Sequence, residues 1–217
     1  MTDFLTRRTT MVDTQIRPAD VTKFPIIDAM LQVRREVFVP DHLRETAYAD
    51  AILDLGHGRM ILEPRTFAKM LDAVDIQGNE LVLDLGCGLG YSSAVIGKFS
   101  EAVVSIEENE DMAAEAETNL ATEGCLNGAV VQGILTEGAA QHAPFDVIVV
   151  QGAVEHIPEP LIAQLAEGGR IVAVFSQKGQ GVVRVGYKTD GQMSWRFACN
   201  AFAPVLNGFV TERSFAL

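Results

Sequence analysis

The stretch Leu81–Ser93, LVLDLGCGLGYSS, decides how the rest of the chain is read. Leu81, Val82, Leu83 and Leu85 form an apolar run broken only by Asp84, and glycines follow at alternate positions, Gly86, Gly88 and Gly90. An apolar run ending in glycines predicts a parallel strand buried on both faces that turns sharply into a helix. Glycine meets the unusual backbone angles of such a turn and lets a ligand touch bare main chain. A helix predicted from Tyr91 to Phe99 aims its first amides at that ligand.

The spacing selects among ligands. A dinucleotide loop, GxGxxG, needs a small residue where Tyr91 stands. The pattern DxGxGxG instead resembles motif I of the class I S-adenosylmethionine-dependent methyltransferases. The next apolar segment, AVVSIE, ends in Glu107, about 20 residues downstream, where an acid accepts hydrogen bonds from ribose hydroxyls. The resemblance implies S-adenosyl-L-methionine as cofactor, bound around Asp84, Gly86, Cys87, Gly88, Tyr91, Ser92 and Glu107. With no pyrophosphate to hold, the loop need only cradle the amino-acid part and the ribose, and Asp84 brings negative charge near a cationic cofactor.

A chain of 217 residues suits one domain with an extension. An apolar fraction of 48% marks a globular protein, and a formal charge of -12 argues against a nucleic-acid surface. Cys87, Cys125 and Cys199 lack CxxC or metal spacing and read as reduced thiols of a cytoplasmic protein. The polar start carries no secretory signal, and no segment approaches the roughly 18 apolar residues of a membrane span. Neither a membrane nor a nucleic acid is therefore expected as a partner; oligomeric state is not legible.

Upstream, residues 1–32 carry apolar positions at helical spacing. Two short helices are expected, split near Ile16–Arg17–Pro18, with Asp20 capping the second. In RREVFVPDHL an extended segment is expected to begin at Phe38–Val39–Pro40. Gly56 and Gly58 mark a turn, and Pro64 opens a helix striped by Phe67, Met70, Leu71 and Val74. Downstream, strands are predicted at Ala129–Gln132, Phe145–Val150 and Arg170–Phe175, the last after a Glu167–Gly168–Gly169 turn, with a helix at Glu110–Thr122. Two β-rich runs flank the hairpin signal Thr189–Asp190–Gly191.

Strands alternating with helices predict a doubly wound α/β sheet that binds its ligand at the carboxyl ends of its strands. The fold expected is a mostly parallel, seven-stranded, Rossmann-like methyltransferase sheet with an antiparallel edge hairpin. Residues 1–76 are read as an N-terminal helical extension and substrate-side segment, and 77–217 as the cofactor-binding core.

The order DAMLQVRREVFVP, AYADAILDLGHGRMILEP, VLDLGCGLGYSSAV, HAPFDVIVVQGAVEHIP and LAEGGRIVAVF resembles the protein-L-isoaspartate O-methyltransferase family. Motif I alone would give only the superfamily; VRREVFVP and AYADA narrow it. The resemblance implies methyl transfer to a carboxylate of a damaged protein or peptide. Such an acceptor has a pKa near 4 and is ionised at neutral pH, so no general base is needed. The task is alignment of acceptor, methyl carbon and sulfur.

The chain departs from the family in its acceptor segment, GxGQTISQP, which here reads GHGRMILEP. Arg59 stands for the first glutamine, Met60 for the threonine, Leu62 for the serine and Glu63 for the second glutamine. The hydroxyl that holds the isoaspartyl carboxylate is missing at Leu62, a loss of roughly 1.5 to 3 kcal/mol. Arg59 is the candidate replacement, through its planar fork, or else an ion-pair partner of Glu63 or Asp54. His57 lies in the same loop and is a candidate substrate contact. Ile134 replaces the aspartate that the resemblance puts beside the adenine. Glu155–His156, after the fourth strand, is a candidate acid–base pair for another acceptor. Two further readings stay open: a methyltransferase with a different acceptor, and a non-catalytic cofactor-binding protein. No metal site is expected.

Overall fold

A computed structural model describes residues 3–177 and 180–211; residues 1–2, 178–179 and 212–217 lie outside the described residues. Helix α1 (Phe4–Met11) starts at Asp3, whose carboxylate accepts from the Thr6 amide. It continues as a wide turn at Val12–Ile16 and a tight one at Arg17–Ala19. The winding runs on as far as Pro18 because that proline lies in the first turn of its 3-10 segment, where its missing N–H is no loss. Asp20 does not cap the next helix: it adopts φ 62° and ends the preceding turn. Helix α2 (Phe24–Gln32) begins instead at Lys23, with Pro25 in its first turn. Phe38–Pro40 starts no strand either, because 3-10 turns at Arg35–Val37 and Asp41–Thr46 flank it.

A separate two-stranded hairpin follows, β1 (Leu53–Gly56) antiparallel to β2 (Arg59–Ile61). His57 and Gly58 turn it at φ 52° and 72°. Helix α3 (Pro64–Val74) buries Phe67, Met70, Leu71 and Val74, the stripe read from the sequence.

The main sheet then alternates with helices: β3 (Leu81–Leu85), α4 (Tyr91–Ile96), β4 (Ala102–Glu107), α5 (Glu110–Thr122), β5 (Gly128–Gln132), β6 (Phe145–Val154), α6 (Glu159–Ala163), β7 (Leu165–Gln177), β8 (Gln180–Thr189) and β9 (Gln192–Asn200). Its order is β5-β4-β3-β6-β7-β8-β9. The first five strands run parallel, and β8 and β9 add the antiparallel edge. The chain winds outward from β3 in both directions, which opens a crevice at the carboxyl ends of β3, β4 and β6.

Three elements differ in length from their expected spans. Helix α4 stops at Ile96, where the backbone tightens into i→i−3 bonds at Lys98 and Phe99 and the Asn127 amide takes the carbonyls of Gly97, Ser100 and Glu101. Strand β6 runs past Val150 to Val154, its register shifting across Gln151–Gly152. Strand β7 begins at Leu165 and absorbs the expected Gly168–Gly169 turn as an irregularity in its pairing with β6.

One hydrophobic core joins both segments, taking Met11, Ile16, Met30 and Phe38 together with Phe67, Leu83, Val149 and Ile171. Burying each such side chain stabilises by roughly 1.5–3 kcal/mol. Arg170 clamps the layers. Its guanidinium donates to the Val74 and Asp75 carbonyls at 2.7 and 2.8 Å and to the Glu80 carboxylate at 2.8 Å, tying the end of α3 and the start of β3 to β7.

Candidate active site

Three glycines shape the turn after β3 at φ 78°, 57° and 98°, angles that side-chain-bearing residues rarely take. The amides of Gly86 and Cys87 both reach the Ile106 carbonyl, at 2.9 and 3.3 Å, so the turn hangs on the tip of β4. One residue further, Glu107 places a fully buried carboxylate beneath the loop, and the Gly88 amide donates to it at 3.0 Å.

Asp84 is also fully buried and accepts from Ser92 Oγ (2.5 Å), Ser93 Oγ (2.7 Å) and Gln151 Nε2 (2.7 Å). Ser105 extends the chain of hydroxyls by donating to Ser93 at 2.8 Å. Burial pushes the Asp84 carboxyl above the usual carboxylate range, and its three donors pull it only part of the way back. Ser92 thus supports Asp84 beneath the loop. Ser93 and Gln151 were missed in the sequence. Gln151 carried a signal, a polar residue closing the apolar run VIVVQ.

Cys87 is buried, and its thiol lies 3.8 Å from the Gly88 carbonyl. Burial, with the charges of Asp84 and Glu107, drives its pKa well up, so the thiol stays neutral. Tyr91 turns away from the loop. Its ring packs 5.9 Å from both Phe38 and Phe67, and the Arg35 guanidinium stacks over it at 4.7 Å. It therefore lies in the core beneath the N-terminal extension, not on the loop's open face, because α4 directs its first side chain back into the sheet layer. Ile134 is half-exposed beyond β5, with its carbonyl accepting from the Glu137 and Gly138 amides.

On the acceptor side, His57 is exposed at the tip of the β1–β2 hairpin, and Met60 and Leu62 are buried. The Leu62 carbonyl accepts from fully buried Arg35 at 2.9 Å, and its side chain joins the core. Arg59 pairs with neither Glu63 nor Asp54. Glu63 binds Arg65 and Thr66, and Asp54 takes the Gly56 amide of its own hairpin. Arg59 instead enters the crevice, where its Nε meets both Glu107 oxygens at 2.9 and 3.0 Å and its Nη2 meets Glu108 at 2.6 Å. Glu155 is occupied in holding the returning C-terminal segment through the Thr211 amide, leaving exposed His156 without it.

The doubly wound sheet, its glycine turn and the acid at the tip of β4 define a class I methyltransferase fold. A family model described as protein-L-isoaspartate(D-aspartate) O-methyltransferase matches residues 6–207. The chain belongs to the protein-L-isoaspartate O-methyltransferase family, enzymes dependent on S-adenosylmethionine. It is 39% identical to protein-L-isoaspartate O-methyltransferase 1 of Rhodopseudomonas palustris over 85% of this chain and 76% of that one. It is 37% identical to the Roseiflexus castenholzii enzyme over 95% and 94%. A solved protein-L-isoaspartate O-methyltransferase superposes with TM-score 0.82 at 25% identity, covering 93% of this chain and 66% of that one. A Plasmodium falciparum protein assigned to the same activity, solved with S-adenosyl-L-homocysteine, superposes at 0.79 and 18% identity over 95% and 99%.

In the arrangement seen here the cofactor loop is closed by the chain's own side chains. A Cβ built on Gly88 would lie 2.7 Å from Leu55 Cδ1, and one on Gly86 would meet Leu135, Leu206 and Arg59 within 4.0 Å. The loop's open face is therefore covered by the chain's own side chains. Both Glu107 oxygens are taken as well, by Arg59 Nε and by the amides of Gly88, Glu108 and Asn109.

Proposed function

We propose that this methyltransferase esterifies a carboxylate on an isoaspartyl residue of a protein or peptide. The observation that carries the reading is the juxtaposition of a three-glycine turn with a buried carboxylate bonded to its Gly88 amide, on a sheet shared with the family. The names of the relatives support the acceptor class. Exposed His57, on the Gly56–Gly58 turn, is the candidate first contact for an incoming peptide. An ionised acceptor needs only to be held in line and requires no general base.

The burial of Met60 and Leu62, where the family carries hydroxyls, favours a second reading: the same donor with a different carboxylate or another acceptor. The test is transfer of labelled methyl to an isoaspartyl peptide and to its aspartyl isomer. Label on the isoaspartyl peptide alone supports the first reading. Label on neither, from a protein that still binds S-adenosylhomocysteine, favours the second.

A further inference from the structure

The β1–β2 hairpin seals the loop at two points. Leu55, from β1, covers Gly88, while Arg59, from β2, is only 2% exposed and spans Glu107 and Glu108. Glu107 receives four N–H groups on two oxygens, one amide each from Gly88, Glu108 and Asn109 and the single Nε–H of Arg59 shared between both oxygens. That fills the roughly four lone-pair sites of a carboxylate. No acceptor capacity remains for a sugar hydroxyl. The hairpin pairs with no strand of the main sheet, and its tip is exposed. With no strand ladder to the main sheet, the hairpin is held by the packing of Leu53, Met60 and Ile61 and by the Arg59 ion pairs, and these are the contacts that must part for it to lift.

We propose that the hairpin is a latch: Arg59 is the built-in occupant of the Glu107 carboxylate, and the hairpin must lift before a nucleoside-bearing ligand can reach the glycine loop. The cation in the latch serves a purpose when the site is closed, because two neighbouring carboxylates at the tip of β4 would otherwise lie without a counter-charge. Opening exchanges the guanidinium for ligand hydroxyls, so Arg59 and ligand compete for the same oxygens. The proposal rests on the methyltransferase reading above for the identity of that ligand, S-adenosylmethionine or its product.

Calorimetry with S-adenosylhomocysteine on the wild-type chain and on Arg59→Gln tests it. The variant is expected to bind at least tenfold more tightly. Glu108→Gln, which removes one arm of the latch outside the loop, is expected to tighten binding severalfold, and it serves where Arg59→Gln fails to fold. Hydrogen exchange on the wild-type chain provides a readout that needs no variant. On saturation with S-adenosylhomocysteine, amides of 53–61 should lose protection while those of 86–93 gain it. Equal affinity for wild type and variants, or a hairpin more protected with ligand, would overturn the latch and leave the methyltransferase reading standing. No binding by any of the three proteins would overturn both.

Discussion

Two buried carboxylates lie side by side under the glycine turn and are satisfied by different means, Asp84 by hydroxyls and an amide, Glu107 by main chain and a guanidinium. Replacing Asp84 with alanine strands three donors in the interior, each costing about 1–3 kcal/mol. Urea denaturation of Asp84→Ala should therefore show a loss of at least about 3 kcal/mol, and Asp84→Asn, whose amide oxygen still accepts, a smaller one. At this scale the sequence was informative wherever chemistry was local. The glycine spacing and the acid at 107 were readable because turn geometry and strand length determine both. The partner of Arg59 was not readable, since it lies 48 residues away and the choice among Glu63, Asp54 and Glu107 depends on how the hairpin folds over the loop. Tyr91 misled for a related reason: its place next to the loop in the chain said nothing about which way α4 would point it.

Among the elements, the antiparallel edge shows how one absent side chain makes room for a large one. Gly186 of β8 faces Trp195 of β9, whose ring packs edge-on at 4.8 Å against Phe175 of β7. A Cβ at 186 would come within 2.8 Å of that ring and 2.7 Å of Met193 Cε. Gly186→Ala should cost about 1–3 kcal/mol by overpacking, measurable as a lower urea midpoint with an unchanged slope. The turn that follows, with Asp190 and Gly191 at φ 52° and 72°, was readable from its dipeptide. The full lengths of β6 and β7 were not. Gln151–Gly152 and Gly168–Gly169 look like strand ends in one dimension, yet each is an irregularity in the β6–β7 pairing, which resumes beyond it.

For the whole molecule, the clamp between Arg170 and Glu80 couples stability to pH. Burial raises the Glu80 carboxyl, but the Arg170 bond and the Gln77 amide outweigh it, leaving the folded pKa below its ordinary value of 4.5. The folded state then holds fewer protons than the unfolded one. The stabilisation is complete above the unfolded pKa and is lost as pH falls through the folded value. Glu80→Gln should therefore cost about 1–3 kcal/mol at pH 7, with the difference from wild type shrinking below about pH 4 in thermal unfolding. Charge acts globally too: at a formal charge of -12, added salt should raise the melting temperature by screening self-repulsion. Tyr91 carries a consequence for anyone dissecting the protein. It opens the helix behind the glycine turn, yet its ring is roofed by Phe38, Phe67 and Arg35. Cutting the chain ahead of Gly78 would strip that roof and bare an oily face directly behind the turn. The excised C-terminal piece should precipitate on expression, whereas co-expression with the missing N-terminal piece should rescue it.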